Sequence, residues 1–137
     1  MADLVITAAN VKAKGKTIST QLVQVGEAVT AGQGVYRKSS DSKHWLASND
    51  VDEASATATG VALTGAATDG YIQMVTSGPM DVGATLSAGE TYILTATAGG
   101  IAAIADLAST NYLTYLGYAS DASTLQVWLK ATGVQDA

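Results

Sequence analysis

The stretch VGEAVTAGQGVY at residues 25–36 returns, altered but recognisable, as VGATLSAGETYI at residues 82–93. A fixed offset of 57 residues lays Val25-Gly26 on Val82-Gly83, Val29 on Leu86 and Ala31-Gly32 on Ala88-Gly89. Carried on without gaps, it lays VYRK (35–38) on YILT (92–95), SSDSK (39–43) on ATAGG (96–100) and TGVA (59–62) on LGYA (116–119). Glycine, apolar and turn positions coincide more than residue identities do. Such a repeat constrains the fold before local propensity does, and two copies are too few for a solenoid. The chain reads as one β-unit duplicated inside a single domain, with units at about 25–80 and 82–134.

The unit itself is built of strands. TYILTA and GYIQMVTSG carry the β-branched and aromatic residues that pleated surfaces favour. The Ala-Gly pairs at 31–32 and 88–89 sit between apolar stretches, where glycine supplies the positive φ of a tight turn. SSDSK and ATAGG read as hairpin loops. Alternation and turn spacing place strands near 3–6, 18–25, 34–38, 44–47, 59–64, 70–76, 91–95, 100–103, 112–119 and 124–130. Helix signals are limited to single turns in DVDEASATATG (50–60) and ADLAST (105–110). The expected fold is an all-β domain over residues 21–137, preceded by an N-terminal arm over residues 1–20.

Composition narrows the partners. The net charge of −5 argues against nucleic acid, which demands a basic face. Charged residues make up only 14% of the chain, and such a surface suits a protein covered in part by copies of itself or by a scaffold. There is no cysteine for a disulfide or thiolate site. No apolar run is long enough for a transmembrane helix, and MADLVITAAN lacks the basic n-region and apolar core of a secretory signal. Neither a membrane nor a cofactor is expected.

No group of residues has the spacing of a catalytic site. His44 is the single histidine, its repeat counterpart is Ile101, and no nucleophile or carboxylate motif accompanies it. NDVDE (49–53) clusters oxygen ligands without the spacing of a calcium loop, and GAATDG (65–70) is a turn with no phosphate-loop lysine after it. Neither is expected to hold a metal. Interaction residues are more visible. In the arm, Leu4, Val5 and Ile6 form a short apolar run, and Lys12, Lys14 and Lys16 alternate so that an extended chain puts them on one face. They are candidates for attachment to an acidic partner surface, or for protecting a sheet edge. Tyr112, Tyr115, Tyr118 and Trp128 are candidates for a subunit interface, where aromatic side chains with a polar tip are frequent. Regular alternation would put Tyr112 and Tyr118 on one face of their strand and Tyr115 on the other.

The opening MADLVITAANV, the GEAVTAGQGVY segment and the run SAGETYILTATAGGIAAIADLASTNYLTYLGYASDASTLQVWLKATGV together resemble the capsid decoration (cement) proteins of tailed bacteriophages. The shared features are structural: paired AG turns, a GGI hairpin, a late LG-x-A strand and a TGV end at 132–134. KHWLASND, with its His and Trp, departs from the pattern. The resemblance implies a compact β-sandwich or β-tulip (β-clip-like) fold with an attachment arm. It also implies a homotrimer bound to the outer face of the icosahedral head, bridging subunits of the major capsid protein, and no enzymatic activity. The alternative is another virion module: a head fibre, a tail component or a host-surface adhesin.

Overall fold

In a computed structural model, residues 3–104 and 111–135 are described; the turn expected over 105–110 lies outside them. A 3-10 turn (Ala8–Asn10) leads into β1 (Val11–Ala13) and β2 (Ser19–Gln24). The first unit continues with β3 (Gly34–Arg37), β4 (His44–Leu46), a one-turn helix α1 (Glu53–Ala56), β5 (Gly60–Ala62) and β6 (Tyr71–Val82). The second contains β7 (Thr91–Leu94), β8 (Ile101–Ala103), β9 (Tyr112–Asp121) and β10 (Thr124–Gln135). The protein is all-β, a single curled antiparallel sheet with the order β4-β3-β5-β6-β10-β9-β7-β8, and β1 and β2 added on β6.

That order is a palindrome in units, and the register repeats with it. Val35 pairs with Leu46 and Tyr36 with Trp45; 57 residues on, Tyr92 pairs with Ala103 and Ile93 with Ala102. Gly34 faces Val61 and Val35 faces Gly60, as Thr91 faces Tyr118 and Tyr92 faces Gly117. The AG turns match too. Gly32 N–H donates to the Ala62 carbonyl and Gly89 N–H to that of Ala119, both at 2.8 Å. Gly32 and Gly89 hold φ of +94° and +84°, which a side chain would strain. The offset breaks at the closing hairpin. Ala62 pairs with Met74 across a long loop, whereas its counterpart Ala119 pairs with Leu125 across a short one.

The core follows the duplication. Val23, Val25, Val29, Val35, Ala62 and Met74 are buried together in the first unit, with Ile72. Their counterparts Met80, Val82, Leu86, Tyr92, Ala119 and Leu125 are buried in the second. The second unit's cluster also takes in Leu94, Ile101, Leu116 and Val127, packed against Ala58, Val61 and Val75 from the opposite face of the first unit. One unit's outer face is thus the other unit's core.

The two units close differently. In the first, Val25 bridges to His44 and Gly26 N–H donates to the His44 carbonyl at 2.9 Å. In the second, the N-terminal segment spans the corresponding gap: Leu4 N–H donates to the Ile101 carbonyl at 2.7 Å and Thr7 N–H to the Gly83 carbonyl at 2.8 Å. Residues 3–7 form no regular strand, unlike the expectation for 3–6, because they bond one edge here and another there rather than along one ladder. Leu4, Ile6, Val11 and Ile18 pack on the core. Within the span expected to serve as an arm, the chain is therefore extended but docked.

β6 runs six residues beyond the expected end at 76, through Pro79. Proline lacks the N–H a ladder uses, yet its carbonyl still accepts from Lys14 N–H at 3.0 Å.

The docking of the N-terminal segment sets the first prediction. Ile6→Ala should lower the unfolding free energy by about 1–2 kcal/mol, since a partly buried methyl cluster is lost. Gly32→Ala should cost at least about 1 kcal/mol, because its φ is positive and its Cβ would lie 2.6 Å from Ile6 Cγ2. The double variant should be more stable than the sum of the two losses implies, as Ile6→Ala removes that clash. Urea unfolding of the four proteins measures this, and strict additivity would contradict the contact.

Candidate functional site

The aromatic candidates are redistributed by a bulge. Pairing of β9 with β7 passes from Tyr92–Gly117 directly to Ile93–Tyr115, leaving Leu116 unmatched. On the other edge it passes from Val127–Gly117 to Lys130–Tyr115. A bulge shifts the two-residue alternation by one. Thr114 and Leu116 then point inward and are buried. Tyr115 and Tyr118 fall on the same outer face, contrary to the regular alternation that put them on opposite sides. Gly117 permits the close approach: a Cβ there would overlap the Gln126 carbonyl.

Tyr115, Tyr118 and Trp128 line one open depression of about 350 Å³ with Gly89, Thr91 and Gly117. Tyr118 is 51% and Trp128 59% exposed. Tyr112, half-buried, pairs with Gln135 farther along the sheet and is not part of this hollow.

A second outward pair was not singled out from sequence. Leu22 is opposite Gln73, and Gln24 is opposite Tyr71, on adjacent strands. Leu22 and Tyr71 are 62% and 60% exposed and share the outer face of β2 and β6. The signal was present in TQLVQV: with Val23 and Val25 facing in, Leu22 must face out.

The N-terminal candidates divide. Leu4 and Ile6 face the core, whereas Val5 faces solvent. Val5 and Lys12 come together around a polar depression that also takes in Asp81 and Ser123. Lys12 is paired in register with Asp81, and Lys14 Nζ donates to Ser123 Oγ at 3.1 Å. Lys16 lies past Gly15, outside β1, and all three lysines are exposed.

The polar loops have local work. Asp52 caps α1, accepting from the Ser55 hydroxyl and N–H, both at 2.7 Å, and those bonds hold its carboxyl below the usual range. Asp69, in the GAATDG turn, pairs with Lys43 at 2.7 Å. Trp45 lies over Gly26, where any Cβ would strike its ring, and donates to the Asp41 carboxylate at 3.1 Å. Lys38 Nζ sits 4.4 Å from its centroid. Among the described residues, no three His, Asp or Glu side chains come together as a metal site.

His44 is 6% exposed, and its Nδ1 has no hydrogen-bond partner. Burial, and then the Arg37 charge opposite it in the sheet, push its pKa below 6.5. The neutral form is thus favoured when folded, and the unfolded chain binds more protons as pH falls. His44 should contribute stability fully above pH 6.5 and lose it as pH drops through 6.5 toward the lower folded value. Urea midpoints should fall in that window, above the range where carboxylates titrate. His44→Ile, which copies Ile101 of the second unit, should flatten the slope; an unchanged slope would contradict the assignment.

No protein-family model matches the chain, and no curated protein matches it.

Proposed function

We propose that this protein is a non-enzymatic virion structural protein. It binds the outer surface of a tailed-phage icosahedral head, as a homotrimer, and stabilises the shell by bridging major capsid protein subunits. The observation that carries this reading is the exposed apolar patch of Leu22 with Tyr71, together with Val5, on a weakly charged surface. Such side chains gain free energy when a partner covers them. The resemblance to decoration proteins supplies the partner. The body also suits the task, since one hydrogen-bonded sheet runs through both units and transmits load along covalent and ladder bonds. Modest contact per copy is sufficient on a closed shell, because many copies each tie subunits that must separate for the shell to fail.

Within this reading, Leu22 and Tyr71 make the capsid contact, together with Val5 and Lys12 at the docked N-terminal segment. Removing the whole segment is a poor test, because it also closes the second unit. The decisive measurement is the copy number relative to the major capsid protein in purified particles, by quantitative mass spectrometry. A one-to-one ratio or a simple fraction is expected. A handful of copies per particle would instead indicate a tail or fibre component, and absence from particles would remove the reading. Leu22→Glu with Tyr71→Glu, both at exposed positions, should leave the melting temperature within a few degrees and cut binding to heads at least tenfold, about 1.4 kcal/mol.

A further inference from the structure

The duplication provides an internal control for the aromatic hollow. Each of its β7–β9 positions has a counterpart in the first unit: Gly32 for Gly89, Gly34 for Thr91, Ala58 for Tyr115, Gly60 for Gly117 and Val61 for Tyr118. The strand register is the same in both units where Gly34 meets Val61 and Val35 meets Gly60, and where Thr91 meets Tyr118 and Tyr92 meets Gly117. The fold therefore forms with Ala and Val where the second unit has two tyrosines. In the first unit this face is buried against the second. In the second unit it is open and carries aromatic rings that the architecture does not require.

The polar atoms of the hollow are also unused among the described residues. The hydroxyls of Tyr115, Tyr118 and Thr91 and the indole N–H of Trp128 make no hydrogen bond within the protein among the described residues. No charged side chain lines the hollow. Rings with unused hydroxyl and N–H groups around a floor of glycine backbone match a ligand with an apolar face and a hydroxylated rim. A pyranose ring has that character: its C–H face packs on an aromatic ring while its hydroxyls exchange hydrogen bonds at the edge.

The size of the hollow fits such a ligand. The volume of about 350 Å³ is at the small end of ligand sites, the scale of one or two rings. We infer that the hollow between β7, β9 and β10 is a binding site for a neutral pyranose unit of a glycan, with Trp128 and Tyr118 as stacking platforms and Tyr115 and Thr91 supplying hydrogen bonds. This holds whether or not the protein decorates a capsid.

The test is a titration of the 15N-labelled full chain with maltose, cellobiose, lactose and N,N′-diacetylchitobiose, following the two indole N–H resonances by NMR. At least one saccharide should move the Trp128 resonance saturably while Trp45, held by Asp41, stays in place. Tyr118→Val, which installs the first unit's residue, should weaken that binding at least tenfold. Trp128→Ala, at a solvent-exposed position, is the second variant and should abolish binding, followed through the Tyr118 backbone amide. The inference is overturned if all four sugars leave Trp128 unmoved, or if Tyr118→Val binds as tightly as the parent. It is also overturned if the Trp128 resonance shifts with protein concentration alone, which would make the face a contact between copies. Binding to heads does not enter these readouts, so this inference and the capsid reading can fail separately.

Discussion

The ladder along β6 is the interaction on which the rest of the molecule depends. Its residues 71–77 pair with β2, residues 74–75 with β5, residues 77–80 with β10 and residues 80–82 with β1. Ser77 is the changeover, paired with both Ser19 and Trp128. One strand thereby closes the first unit, opens the second and anchors the N-terminal segment. A backbone group left unpaired at its buried residues, Ile72, Met74, Val75, Met80 and Val82, would lack a partner at a cost of about 1–3 kcal/mol each. The units cannot separate without breaking this strand's bonds.

On that skeleton the copies have diverged where their surroundings differ. His44 occupies the position of Ile101, and Trp45 that of Ala102. The first unit closes by direct contact from Gly26 to His44, and its exposed side is capped by Trp45 over that glycine. The second closes through the inserted residues 4–7. Equivalent positions therefore face a neighbouring unit in one case and solvent in the other. That difference explains small residues at Ala58 and Val61 against aromatic ones at Tyr115 and Tyr118: the first pair must fit between the two units, and the second pair has open space.

On the proposed reading, the apolar and aromatic side chains of these open faces do the recognition, and their chemistry differs from place to place. Leu22 with Tyr71 is the patch that the proposed capsid contact uses. The Tyr115, Tyr118 and Trp128 hollow carries hydroxyl and N–H groups that make no hydrogen bond among the described residues, and any ligand there must meet them to avoid a desolvation cost.

Much of the architecture was legible in the amino-acid order. The 57-residue offset, the AG turns and the two-residue alternation placed β2 to β5 and β7 to β9 within a few residues, because turn chemistry and side-chain alternation are local and were written twice. The side chains of Leu22 and Val23 were readable in the same way. What lies beyond local pattern was decided by the tertiary structure. The bulge at Leu116 arises from fitting one strand between two neighbours of different register, and it alone brings Tyr115 beside Tyr118. The docking of Leu4 and Ile6 depends on a gap between Ile101 and Gly83, residues far away in the chain. Sequence by itself determined that two similar β-units would form. Only the packing of one against the other decided which faces were buried, since a side chain's exposure depends on what long-range neighbours cover it.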